Sequence, residues 1–129
     1  MPFLIAFATD DGQQVIERHF GDACFYEIYR LTPAGSEYLN RVDNTSGEER
    51  QHADPRKARS VVSLLKEQGV KVGVSHQFGP NLKRVKKHFV PVIIQETSIK
   101  KALIQLQQNF NQIQELWEQG PERQHLKLE

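Results

Sequence analysis

The sequence holds one cysteine, one tryptophan and almost no net charge, with seventeen Lys and Arg against sixteen Asp and Glu. Each shortage excludes something. A lone Cys24 cannot close an intrachain disulfide, which fits a reducing compartment. Balanced charge leaves no overall basic field for nucleic acid and no acidic, solvating tail. The longest apolar runs, FLIAFA and VPVII, fall far short of the ~20 residues a membrane helix needs. The start shows no charged segment leading into an apolar one, so no secretory signal is expected and the expected location is the cytoplasm. Also missing are a G-x-x-x-x-G-K-[ST] phosphate loop, G-x-G-x-x-G, a G-x-S-x-G elbow and C-x-x-C. No nucleophile–base pair can be placed, and the chain is read as non-catalytic.

What is present is a regular alternation of strand and helix signals. FLIAFA (3–8) reads as a buried strand closed by the turn Thr9-Asp10-Asp11-Gly12. CFYEIYRL (24–31) and SEYLNRVD (36–43), joined through Pro33-Ala34-Gly35, form a hairpin. After the polar stretch 44–52, Asp54-Pro55 opens a helix with an N-cap and a first-position proline. Ala58, Val61, Val62 and Leu65 are its core face, and Gly69 ends it. VKVGVS (70–75) is a strand. Gly79-Pro80-Asn81 starts a second helix running to about His88, and FVPVII (89–94) is a strand placed at an edge by Pro91. Ser98 caps a last helix over 98–118. Its apolar residues Ile99, Leu103, Leu106, Phe110, Ile113 and Trp117 keep a near-heptad rhythm.

The order β-β-β-α-β-α-β-α predicts an α/β fold: a mixed five-stranded sheet with an N-terminal antiparallel hairpin and helices on its faces. Residues 1–118 form a single domain with an extended C-terminal helix, and 119–129 a flexible tail ending in Leu128-Glu129. The C-terminal ends of the first and fourth strands would lie side by side, where ligands bind in open α/β sheets. Phe110, Ile113 and Trp117 are expected to overhang the domain and to support a homodimer.

Three stretches together resemble the dinitrogenase iron–molybdenum cofactor biosynthesis family, the NifX-, NifY- and NafY-like proteins and the C-terminal domain of NifB. They are IAFATDDG, the HFG of residues 19–21 leading into CFYEIY, and GVKVGVSHQFGPNLKRV. The similarity covers about residues 3–106. It implies a ribonuclease-H-like fold and a carrier or chaperone for iron–molybdenum cofactor or its iron–sulfur precursor. Nitrogenase or cofactor-assembly proteins would be its partners; nucleic acid and membrane would not. The alternative is a protein-binding relative that holds no cluster. Two departures stand out. Ser75, His76, Gln77 and Phe78 fill a stretch often opened by a second glycine, and the loop before the first helix keeps only Gly47 and His52.

Clusters of iron and molybdenum accept imidazole and thiolate, and a carrier that must release its cargo suits few, exchangeable bonds. The resemblance makes His19 the first ligand candidate; from the residues alone it reads as a turn histidine bonding its own backbone. Phe20 reads as core. Gly21 is expected to supply a backbone angle closed to side chains. Cys24 reads first as a small, inward hydrophobe; at the head of its strand it would instead bring a thiol toward His19. His76 stands at the end of a central strand, and His52 lies on a loop able to fold over the site. Gly79 and Asn81 belong to a helix start that would offer N–H groups to an anionic cluster, with Lys83, Arg84, Lys57 and Arg59 behind. His88 and His125 read as surface residues. A two-metal nuclease would need converging carboxylates. Asp10 and Asp11 lack a counterpart after Ser75-His76, and Asp10 is read as a turn residue.

Overall fold

The computed structural model describes residues 2–44 and 55–129, and the side chains of 55–60 and of Asn81 lie outside that description. His52, Gly47 and the Asp54 cap are therefore outside the described residues, as are the side chains of Lys57, Ala58 and Arg59.

Among the described residues, ten regular elements follow in the order β1 (Phe3–Thr9), β2 (Phe25–Thr32), β3 (Gly35–Asp43), α1 (Pro55–Glu67), β4 (Val70–Ser75), α2 (Leu82–Val85), β5 (Val90–Ile94), α3 (Ile99–Gln108), α4 (Phe110–Glu118) and β6 (Leu126–Leu128). They form one mixed sheet, ordered β3-β2-β1-β4-β5-β6. The β1–β2 and β2–β3 ladders are antiparallel. The β1–β4, β4–β5 and β5–β6 ladders are parallel. The N-terminal hairpin and the β1–β4 adjacency agree with the sequence reading. The strand count does not, because six strands stand where five were expected.

β1 is apolar from Phe3 to Ala8 because it is covered on both sides, as a central strand between helical layers must be. Phe3, Ile5 and Phe7 join Val72, Val74, Val90 and Val92 beneath Ile99, Leu103, Leu106, Phe110 and Ile113. Ala6 and Ala8 face the other way, toward Val61, Val62, Leu65, Phe20 and Phe78. The period-2 alternation of strands thus feeds two cores, and each large side chain fully buried there contributes about 1.5–3 kcal/mol.

The C-terminal third departs most from the sequence reading. The last helix is two helices, broken at Asn109. Its side chain donates to the Gln105 carbonyl at 2.8 Å, competing with the helix ladder. The break keeps the apolar stripe on the sheet: Phe110 is 4 % exposed, Ile113 0 %, and the Phe3 and Phe110 rings lie 5.4 Å apart. Trp117 does not overhang either. Arg123 covers its ring at 4.5 Å, and the Lys71 ammonium lies 5.1 Å from its centroid. Of the residues expected to support a homodimer, Phe110 and Ile113 are therefore core and Trp117 packs half-buried against it.

Residues 119–129 are not a flexible tail. A turn over Gly120–Glu122 leads into β6, which pairs with Val92–Ile94 of β5. β5, α3, α4 and β6 thus make one further parallel crossover. β5 is consequently not the edge strand; Pro91 stands one residue outside the span that β6 pairs, so its missing donor spares that ladder. The second helix is also shorter than expected. One 3-10 turn (Gly79–Asn81) runs into four α-helical residues, too few to build a useful macrodipole.

Candidate functional site: the edge formed by the ends of β1 and β4

The turn after β1 is held from within. The Thr9 hydroxyl donates to the Gln14 carbonyl at 2.6 Å, and Gly12 N–H donates back to that hydroxyl at 3.0 Å. Asp11 accepts the Gln13 and Gln14 amides at 2.8 Å each, and these two bonds hold its carboxyl below the usual range. Gly12 has φ +80°, and a methyl there would meet the Arg41 guanidinium and the Glu27 carboxylate at 2.7 and 2.9 Å. Glu27 is itself buried, accepting from Arg41 (3.0 and 3.1 Å) and from the Tyr38 hydroxyl (3.1 Å).

Asp10 takes two bonds from Arg18, at 2.7 and 3.0 Å, and the Cys24 amide at 2.9 Å. Burial by itself would raise its pKa. The Arg18 bond and the bonds from Cys24 outweigh that, so the net shift is downward. Both carboxylates of the turn are thus committed to holding loops, as the turn reading of Asp10 expected.

The HFG segment closes over this edge. Phe20 is 1 % exposed, its amide donates to the Gln77 carbonyl at 2.9 Å, and its own carbonyl accepts the Tyr26 hydroxyl at 2.9 Å. Its ring stacks on Phe78 at 4.9 Å. It also lies against Gly73 of β4, where a methyl would come within 3.0 Å of the ring. Gln77 completes the tie by donating its side-chain amide to the Glu17 carbonyl at 2.7 Å. His19 bridges Gln77 in parallel and lays its half-buried ring on Gly79 (φ +71°), where a methyl would come 2.5–2.7 Å from three ring atoms. The glycine of the GP pair is thus needed twice, for its backbone angle and for the histidine above it.

His76 follows directly from β4. Its Nδ1 lies 2.7 Å from the carbonyl oxygen of Ile94 at the end of β5. A carbonyl can only accept, so this bond places a proton on Nδ1 and, in the neutral imidazole, the lone pair on Nε2. The two candidate histidines therefore belong to one assembly, joined through Gln77.

The other candidates fare differently. Gly21 has no positive φ and open space around its α-carbon, so the expected backbone role is wrong; its carbonyl accepts from Asn44 at 3.0 Å. Cys24 is exposed rather than inward, because β2 starts one residue later. Its thiol hydrogen-bonds Asp10, and that bond, then burial, pushes its pKa up, so the free protein holds a thiol and not a ready thiolate ligand. Iodoacetamide is expected to modify Cys24 slowly at pH 8, and Asp10→Asn to accelerate it by roughly three- to tenfold. Equal rates in the two proteins would show that Asp10 does not restrain the thiol. Asn81 contributes its backbone to the Gly79–Asn81 turn. His88 is half-buried beside Lys66, and desolvation, then the charges of Lys66, Lys87 and Arg123, pushes its pKa down; His125 is exposed.

Among the described residues, no three of His, Cys, Asp or Glu gather closely enough to hold a metal ion. Sequence reasoning missed the Asp10–Arg18 clamp, the Gln77 tie and the Ile94 carbonyl. The first two join residues in separate loops, and a backbone acceptor leaves no mark in a sequence.

The fold and this edge define a mixed α/β protein whose two histidine-bearing loops are locked together at the carboxyl ends of parallel strands. The family model for dinitrogenase iron-molybdenum cofactor proteins matches residues 1–109, and the chain belongs to that family. No curated protein matches the chain significantly. No helix among the described residues is long and apolar enough to cross a membrane.

Proposed function

We propose that this protein is a non-catalytic carrier for an iron–sulfur or iron–molybdenum cluster, as precursor or finished cofactor, acting in the cytoplasm beside nitrogenase-type assembly proteins. The cargo would sit at the His19/His76 edge of a ribonuclease-H-like sheet. One observation carries the reading: His76 donates Nδ1–H to the Ile94 carbonyl, the arrangement that orients a metal-binding imidazole and raises its basicity. The lone pair on Nε2 then needs no tautomer change to meet a metal. His19, packed on Gly79 one loop away, is the second donor. Two imidazoles and no preformed cage suit cargo that must leave again. Cys24, held as a thiol by Asp10, adds a ligand only if the incoming metal displaces that proton.

The test is anaerobic gel filtration with isolated cofactor or its iron–sulfur precursor. Iron should co-elute with the wild type and fall about tenfold or more in His76→Ala or His19→Ala, in line with loss of a ligand and its oriented partner. The variants must first show wild-type thermal unfolding. Iron that stays with both variants, or never co-elutes at all, would replace this reading with a protein-binding role for the same fold.

A further inference from the structure

A second feature lies next to the histidine edge and plays no part in the carrier reading. Two turns of the same kind border one cleft: Gly79-Pro80-Asn81 and Gly120-Pro121-Glu122, each a 3-10 turn opening on a glycine at φ +71° or +77°. Between them runs a half-open cleft of about 570 Å³, walled by Pro80 and Pro121 and lined by Lys83, Arg84, Lys86 and Lys87. Glu122 is the one carboxylate among its described lining residues. None of the four cations pairs with a carboxylate among the described residues, whose ion pairs are Arg18–Asp10, Arg30–Glu37 and Arg41–Glu27. In a chain of nearly balanced charge, this is a local and uncompensated excess.

The cleft is also built rigidly. Arg123, next to Glu122 in the chain and 3 % exposed, donates to the Lys86 carbonyl at 2.7 Å and to the Leu116 and Trp117 carbonyls at 3.1 Å. The two walls are thereby tied by one buried side chain, and the prolines fix both rims. Nearby His88 has its pKa pushed down by burial and then by Lys66, Lys87 and Arg123, which agrees with a positive potential here.

We propose that this cleft docks an acidic polypeptide segment of a partner protein. Carboxylates match its charge, and four cations spread from Lys83 to Lys87 suit a peptide's spaced charges better than one compact anion. Nucleic acid fits less well: no aromatic ring stands among the described lining residues to serve as a stacking platform. Small-molecule sites, for their part, are mostly apolar with few polar groups. Pro80 directly follows the glycine on which His19 rests, so a docked partner would stand beside the histidine edge. The docking surface holds whether or not that edge carries a cluster.

The test uses the full chain and a fluorescein-labelled peptide of about eight consecutive glutamates, followed by anisotropy at low salt. The triple variant Lys83→Gln/Lys86→Gln/Lys87→Gln should weaken binding about tenfold or more. A charge-matched control, Lys100→Gln/Lys101→Gln/Lys127→Gln, removes three exposed lysines elsewhere and should weaken it less than about twofold. Equal losses in the two variants would reduce the effect to net charge and overturn the proposal. So would single-stranded DNA binding the cleft more tightly than the peptide, or citrate displacing the peptide at submillimolar concentration. Matching thermal transitions for all three proteins exclude misfolding as the cause.

Discussion

Phe20→Ala should lower stability by about 3–5 kcal/mol, a drop of roughly 10–15 °C in melting temperature. Phe20 is 1 % exposed and fills the space between Phe78, Tyr26 and the backbone of Gly73. Truncation forfeits the transfer energy of the ring and leaves an apolar void that rigid strand backbone cannot close. Differential scanning calorimetry measures it, and a loss below about 1 kcal/mol would show that the loop refolds around the gap. A second substitution sharpens the expectation. Gly73→Ala in the wild type pushes a methyl to within 3.0 Å of the Phe20 ring and should cost about 1–3 kcal/mol by overpacking. In the Phe20→Ala background the same methyl enters the void, so its cost should vanish or change sign. The coupling energy of that double-mutant cycle tests the contact itself. The aromatic of HFG is thus a key inserted into β4, and it fixes where His19 stands.

Arg123→Ala should cost about 2–4 kcal/mol, since hydrogen bonds to charged groups are worth more than neutral ones and their acceptors would be left unmet. A buried guanidinium without a carboxylate is tolerable here because three carbonyls share its charge. Two of them, Leu116 and Trp117, end α4, where the helix dipole is negative. Desolvation pushes its pKa down, but from so high a start that it stays protonated at neutral pH. Arg123→Lys should recover only part of the loss, because one ammonium cannot span acceptors that a planar fork reaches together. Hydrogen exchange provides the decisive reading. The amides of β6 should lose protection in Arg123→Ala while those of β1 and β4 keep theirs. Uniform loss across the sheet would mean that the C-terminal segment is no separate unit.

The two predictions fall on either side of what the sequence could tell: Phe20 reads as core and is core, whereas nothing local marks Arg123 as buried. The apolar run of β1, the alternating hairpin, the Gly69 stop and VKVGVS over 70–75 were readable because each obeys a local rule: periodicity, turn chemistry or capping. The family resemblance was readable for the same reason, being carried by contiguous stretches such as HFG and GPN. β6 was not. Three residues, LKL, give too little periodicity to separate a strand from a tail, and only a neighbour with an unpaired edge makes it one. Nor was the break at Asn109, since the heptad rhythm continues straight through it.

The histidines divide the same way. Their positions after a turn and after a central strand follow from the order of elements. That His19 rests on Gly79, and that His76 gives its Nδ1 proton to the Ile94 carbonyl, were settled by loops from different parts of the chain meeting. Gly21 and Cys24 show the reverse error, since local expectations for a glycine and a lone cysteine were overruled by open space and by Asp10. The α/β order, the hairpin and the adjacency of β1 and β4 could be read from the residues alone, because periodicity and turn chemistry act over a few residues. The sixth strand, the buried arginine and the Nδ1 proton of His76 came only with the packed chain, because each depends on a partner distant in sequence.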